Sequence, residues 1–493
     1  MAELKDLIIK TPQAGISSSP HFGNADIRNI DISSIPGTAQ MNNVADKKSS
    51  TTIDGQPYWI IQDPNTPADF YCLDAAGVLY KSDDWCVSWA EISDRGGTGQ
   101  GLAIWKDYVF VFEDTKIDVY GPLSGAAAWT DNWATIGSAT WHPTKVSQND
   151  GNLYFGCGRY VGYISEESGQ DFAPGTSATY DSTLGTSASN SLDLPEDFEI
   201  KCMEELGNNL MLGTYRGSET NRTANIFSWD RSSVSFGQPI ITEEYSIHAM
   251  KNINQQLYFL AGNQGKVYKS NGVQTWAIAQ IPDYITSLKD SALKLEGYPG
   301  AICKYKGKLY FGIGSDSAVD GMGVYSVQET SGGTILNLEH GISTGNWGAS
   351  NKLQVSALCP ITDESISIGW IDNTTTGVDK TLVSGNKYAY GTDYSDCYWE
   401  SPFYTVGTNL NKRQFTQLEF QLAEDIATDE GIKVEYRISL DDSFTEIGSY
   451  TNSDFTGTSH HIEPGIVECE FIQIRTSIKG KTTTPKIKSI TLR

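Results

Sequence analysis

A chain of 493 residues is too long for one ordinary hydrophobic core, so several domains or one large repeat architecture is expected. With 60 acidic against 36 basic residues the formal charge is −24, which disfavours recognition of nucleic acid by a basic patch. The 48 glycines, 25 tyrosines, 17 phenylalanines and 12 tryptophans, without long helix-forming stretches, give a β composition.

Residues 1–50 are polar, carry Pro and Ser, and hold almost no aromatic side chains; composition reads them as an extended N-terminal arm. The first residues contain no long apolar run, so no cleaved secretory signal is expected. No segment approaches the roughly 18 apolar residues of a membrane helix, and no membrane span is expected.

From 51 to 391 the chain repeats. "GNLYFGCGRYVGYI" (151–164), "NNLMLGTYRG…NIFSW" (208–229), "QQLYFLAGNQGKVYKS" (255–270) and "GKLYFGIGSDSAVDGMGVYSV" (307–327) share one pattern, a short aromatic strand ending near Gly, then a loop and a second strand. Their marker leucines, Leu153, Leu210, Leu257 and Leu309, lie 57, 47 and 52 residues apart. "IKCMEEL", "IHAMKNI" and "AICKYKG" lead into the last three and read as first strands. Weaker copies flank them at 70–82, 106–121 and 364–385. A period of this length with four short strands per unit predicts a β-propeller of six to seven blades, the lower count applying if the first and last units complete one shared blade. Short helical pieces are expected only near 193–206 and 283–297, and an exposed Ser/Thr-rich loop at 177–197. From 392 to 493 the period is lost. "IKVEYRI" and "FIQIRTSI" alternate strictly, and five or more strands in about 100 residues read as an antiparallel, jelly-roll-like β-sandwich.

Two short stretches look catalytic and are weighed as masonry. "YKSNGVQTW" (268–276) and "YKSDDWCVSW" (80–89) resemble the Asp-box hairpin of sialidase-type propellers. A motif that occurs twice, far apart, reads as a repeat element, with Gly272 permitting the turn and Trp276 packing between sheets. Nucleophile-elbow, zinc-protease, P-loop and dinucleotide signatures are absent. His460 and His461 are adjacent on a predicted strand and point to opposite faces. "SDSAVDGMG" (315–323) and "DNTTTGVD" (372–379) only loosely suit Ca²⁺ and read as surface turns. Sialidases clamp a substrate carboxylate with an arginine cluster; the propeller's arginines here are Arg95, Arg159, Arg216, Arg222 and Arg231, and none sits in the Arg-Ile-Pro context those enzymes carry near their start. Trp129, Trp133, Trp141, Trp347 and Trp370 lie near predicted loops and are read mostly as inter-blade core. The eight cysteines show no zinc spacing and read as free buried thiols. No metal, cofactor or catalytic residue is assigned.

Two stretches carry a family resemblance. "FGNADIRNIDISSIPGTAQMN" (22–42) resembles the N-terminal segment of virion proteins in tailed bacteriophages. "YWESPFYTVG…KRQFTQLEFQL…IKVEYRISLDDSFTEIG…FIQIRTSIKGKTTTPKIKSITLR" is similar to the C-terminal β-sandwich of such tail proteins. Together they cover about a quarter of the chain. The resemblance implies a structural virion protein without enzymatic activity: a tail nozzle, hub or tip ring, assembled in the host cytoplasm. It implies a ring-shaped homo-oligomer, expected as a hexamer, contacting neighbouring tail proteins and passing genome DNA only in transit. Ile27, Arg28, Asn29, Asp31, Ile32, Pro36 and Gly37 are expected to carry the subunit contacts. Two other readings stay open: a receptor-binding protein for host surface glycans, and a glycoside hydrolase of propeller fold.

Overall fold

The computed structural model describes all residues except 1–5, 11–15, 17–24, 36, 48–52, 95, 167–170, 175–177, 181–190, 217–222, 283–293, 332, 346, 349–350, 391–393, 395, 409–410, 456 and 466–467. Six antiparallel four-stranded ladders follow one another in the chain. Their first and last strands are Pro57–Gln62 and Ala90–Asp94 (blade 1), Gly101–Trp105 and Ala128–Thr135 (blade 2), Thr144–Val146 and Ala178–Tyr180 (blade 3). Blade 4 runs from Glu199–Leu206 to Ile240–Ile241, blade 5 from Ile247–Ile253 to Thr275–Gln280, and blade 6 from Ile302–Tyr305 to Gly333–His340. Blade 7 has only three consecutive strands, Leu353–Thr362, Ser365–Asp372 and Thr375–Thr381. Its fourth comes from the other end of the chain. The arm strand Ala45–Lys47 pairs antiparallel with Thr375–Thr381. First strands neighbour one another around the whole circle, and Pro57–Gln62 of blade 1 meets Leu353–Thr362 of blade 7. The propeller therefore has seven blades and is closed by its own N-terminal segment.

The sequence pattern explains the stacking. Second strands such as Leu153–Cys157 and Lys308–Ser315 are buried at every position, because a neighbouring blade covers each face. The Gly that ends the aromatic run sits where the next blade comes closest. A Cβ on Gly312 would lie 2.5 Å from Val355 Cγ1, so any side chain there would push blades 6 and 7 apart.

The C-terminal region forms two facing sheets. One contains Thr445–Thr451, Gly431–Arg437, Phe471–Lys479 and Tyr398–Glu400; the other contains Ser459–Ile462, Leu418–Leu422 and Ile487–Leu492. Alternating residues of Gly431–Arg437 point inward, and Ile432, Val434, Phe420, Ile474 and Leu492 share one core.

The arm is woven through both parts. β1 (Leu7–Lys10) pairs with Ile487–Leu492 of the sandwich. β2 (Asp26–Arg28) runs antiparallel to Tyr398–Glu400 and bridges, in parallel, to the outer strand of blade 6 through Arg28 and Leu338. β3 (Ile30–Asp31) pairs with β4 (Gln40–Met41), and β5 (Ala45–Lys47) closes blade 7. Blade 6, the arm and one sandwich sheet thus form a continuous hydrogen-bonded surface. A polar composition concealed this: Ile9, Ile16, Ile27, Ile30, Ile32 and Met41 are in the core, while Ile8 and Ile35 are exposed.

Three expectations are corrected. The stretch expected to hold a helix near 193–206 contains the strands Leu192–Asp193 and Glu199–Leu206; of 283–297, residues 283–293 lie outside the described residues and Leu295–Glu296 is a strand. Within 177–197, Ala178–Tyr180 and Leu192–Asp193 join blade 3, and Leu192 and Leu194 are buried; 181–190 lie outside the described residues. Trp276 is 46% exposed on the rim strand of blade 5, not packed between sheets. Turn chemistry fixes that hairpin instead. Ser270 Oγ donates to Gln274 O at 2.7 Å, and Asn271 Oδ1 accepts the amides of Val273 and Gln274. The second copy occupies the equivalent turn of blade 1, where Cys86 N donates to Ser82 Oγ and Asp84 accepts from Val87 and Ser88.

Candidate functional site

The residues expected to contact neighbouring subunits bond within their own chain. Ile27 is fully enclosed, and Asn29 donates through Nδ2 to Asp396 O at 2.8 Å. Arg28 donates from Nε to Asp26 (2.9 Å) and through both terminal nitrogens to Asp320 (3.0 and 2.9 Å). Its guanidinium lies 5.5 Å from the Trp347 ring and 5.6 Å from Tyr398. Asp31 accepts from Ser33 N, Ser33 Oγ, Ser34 N and Gln40 Nε2. Burial pushes its carboxyl up, but the bonds from Ser34 and Ser33 and the charge of Lys308 outweigh that and bring it down to about 2. Ile32 is buried, Gly37 is half-buried with φ 74°, and Pro36 lies outside the described residues. What this segment shows to a neighbour is its turn, where Ser34 and Ile35 are exposed.

Other sequence candidates do not converge. Arg159 pairs with Asp193, Arg216 with Asp197 and Arg231 with Glu205; Arg95 and Arg222 lie outside the described residues. Asp320 is held by Arg28, while Asp379 accepts from Ser343. Among the described residues no group of three or more His, Cys, Asp or Glu side chains is arranged to hold a metal. His460 packs against Phe455 while His461 accepts from Gln417, so the pair does diverge. Trp370 is fully buried; Trp129, Trp133, Trp141 and Trp347 are half-buried. All eight cysteines are free and buried.

The convergent cluster lies elsewhere, at one mouth of the propeller's central channel. In a ring of blades the start of every first strand, and the connector before it, open on the same face. Tyr58 begins the first strand of blade 1, Lys201 that of blade 4, His248 that of blade 5 and Gln354 that of blade 7. Trp141, Tyr245, Glu296 and Tyr298 come from the connectors before blades 3, 5 and 6. The rings meet: Tyr58 and Trp141 centroids are 5.0 Å apart, Tyr58 and Tyr298 5.8 Å, Trp141 and Tyr298 6.1 Å. Gly300 makes this approach feasible, since a Cβ there would lie 2.2 Å from Tyr58 O. Tyr298 donates to Gln354 Oε1 at 2.6 Å and is 7% exposed, whereas Tyr58 and Trp141 keep accessible faces.

Lys201 stands beside this aromatic floor. Its ammonium is 5.7 Å from the Trp141 ring centroid and 3.0 Å from His248 Nδ1. His248 Nε2 lies 2.7 Å from Gly262 O, which can only accept, so Nε2 carries the proton and Nδ1 accepts from Lys201. Burial pulls the Lys201 ammonium down to about 8, with Glu296 acting in the opposite sense. Burial, then the Lys201 charge, also lowers His248, which stays neutral. Among the described residues no carboxylate lies within 4.0 Å of Lys201. Sequence reasoning missed this site because its members are scattered over 300 positions. The available signal was a lysine between the apolar Ile200 and Cys202 in the lead-in "IKCMEEL".

No protein-family model matches the chain, and no curated protein matches it in sequence. Solved structures resemble it at low identity. The β-propeller domain of Cps50 (Swd1) from Myceliophteria thermophila has a TM-score of 0.44 at 9% identity, over 69% of this chain and 100% of that one. The extracellular domain of a hybrid two-component system from B. thetaiotaomicron gives 0.44 at 13%, over 73% of this chain and 44% of that one. YCF48 bound to D1 peptide gives 0.40 at 9%, over 69% and 99%. Likeness at this level assigns no activity. By its own strand topology the chain is a β-propeller protein with a C-terminal β-sandwich.

Proposed function

We propose that the chain is a structural virion protein of a tailed bacteriophage, a ring-forming tail component that contacts neighbouring tail proteins. One observation carries the reading: the two stretches that resemble tail proteins are hydrogen-bonded to each other. Asp26–Arg28 runs antiparallel to Tyr398–Glu400, the "YWE" that opens the sandwich. Glu400 continues the joint, accepting from Arg475 Nε at 2.9 Å and lying 3.5 Å from Arg437. A tail component has to keep its parts in register under load, and a shared sheet hinges less readily than two domains joined by a loop. Tyr58, Trp141 and Tyr298 pack across the mouth of the propeller's own channel. In this reading, therefore, the DNA conduit is the space enclosed by several copies, six in the expected ring. Immunogold labelling of purified virions tests the proposal. Label on the tail is the expected result; a chain abundant in the lysate but missing from gradient-purified particles would exclude it.

A further inference from the structure

We propose that the channel mouth binds an acidic saccharide, a pyranose bearing a carboxylate, with Lys201 receiving the carboxylate and Trp141 and Tyr58 receiving the ring. This inference is independent of the virion reading.

The chain carries 60 acidic residues against 36 basic ones, yet the Lys201 ammonium has no carboxylate within 4.0 Å among the described residues. It is half-buried, rests against Trp141 and donates to a neutral imidazole. A desolvated cation whose carboxylate neighbour, Glu296, acts on it only from beyond contact distance is under-compensated, and a ligand carboxylate would supply a direct charge-assisted bond. The geometry then narrows the ligand. Trp141 and Tyr58 offer adjoining half-exposed faces of the kind that cover the C–H face of a sugar ring. Beside them is an acceptor, Glu296, which acts electrostatically on Lys201, Tyr58 and Tyr298. One cation beside one acceptor suits a ligand with a single negative group and hydroxyl donors. An acidic peptide would bring its own carbonyl acceptors against the same carboxylate.

Saturation-transfer NMR on the full chain, with 3′-sialyllactose and a glucuronate disaccharide against neutral lactose, tests this. The expected result is transfer to the acidic sugars about tenfold stronger than to lactose, the size of one charge-assisted hydrogen bond. Lys201→Gln should reduce the acidic sugars to the lactose level, Lys201→Arg should retain the preference, and Trp141→Ala should weaken acidic and neutral sugars alike. Equal transfer to acidic and neutral sugars in the unmodified chain would overturn the proposal without any variant. So would transfer unaffected by either Lys201→Gln or Trp141→Ala, or transfer confined to a glutamate-rich peptide probe.

Discussion

Arg28 and Lys201 are both cations lying against tryptophan in one acidic chain, and they end in opposite electrostatic states. Arg28 is 7% exposed, forked onto Asp320, bonded to Asp26 and flanked by Trp347 and Tyr398. Lys201 keeps an accessible surface, leans on Trp141 and has a neutral imidazole as its bonded partner. The first site is saturated, and a third partner could enter only by displacing one already bound. At the second, one is missing. Saturation marks a joint, and its absence marks a place where a ligand gains energy by arriving.

The largest expected effect removes the joint entirely. Deleting residues 1–47 takes Ile9, Ile27, Ile30, Ile32, Met41 and the closing strand β5 with it. At about 1.5–3 kcal/mol per large apolar side chain, the loss rivals the roughly 5–15 kcal/mol that holds a typical domain together. The truncated chain should show no cooperative melt by circular dichroism; a sharp transition near that of the intact chain would contradict the woven arm. Arg28→Ala is next, at about 3–5 kcal/mol, because it takes the shared cation from Asp26 and Asp320, which keep the Tyr398 hydroxyl and the Gly321 amide but lose their counter-charge. Chemical denaturation measures it, and a cost under about 1 kcal/mol would mean the joint is held by β-pairing alone.

Asp31 sharpens the contrast through pH. Its folded carboxyl sits at about 2, below its ordinary value, so its contribution is present above about pH 4 and is lost as pH falls towards 2. Asp31→Asn should cost about 2 kcal/mol near neutrality and flatten the acid limb of the stability profile between those values. An unchanged acid limb would rule that contribution out. Trp276→Ala, on the exposed rim of blade 5, should cost less than about 1 kcal/mol; a loss of several would restore the core role the sequence implied. Lys201→Met should be the mildest change, neutral or stabilising within about 1 kcal/mol, since it removes a desolvated charge that no described carboxylate contacts within 4.0 Å.

Much of the fold was legible because its cause is local. Aromatic runs such as "LYF", ending in a Gly that the next blade needs, announce a doubly buried strand, and their spacing announces the repeat. That the extended arm is woven into the core was not legible, because composition counts residues and not partners, while Ile9, Ile27, Ile30 and Ile32 share one core with residues more than 300 positions away, such as Leu338 and Trp399. Trp276 failed for a different reason: the turn that Gly272 permits is there, with φ 93°, but which face of a rim strand meets solvent depends on the neighbouring blade. Lys201 and Tyr58 were illegible as a pair, since only ring closure brings blades 1 and 4 to one mouth.

The most direct test is a side-by-side thermal melt of Arg28→Ala and Lys201→Met near pH 7. A large fall in Tm is expected for the first and an unchanged or slightly raised Tm for the second. Equal falls would show that Lys201 is as structural as Arg28, and the distinction between joint and mouth would be lost.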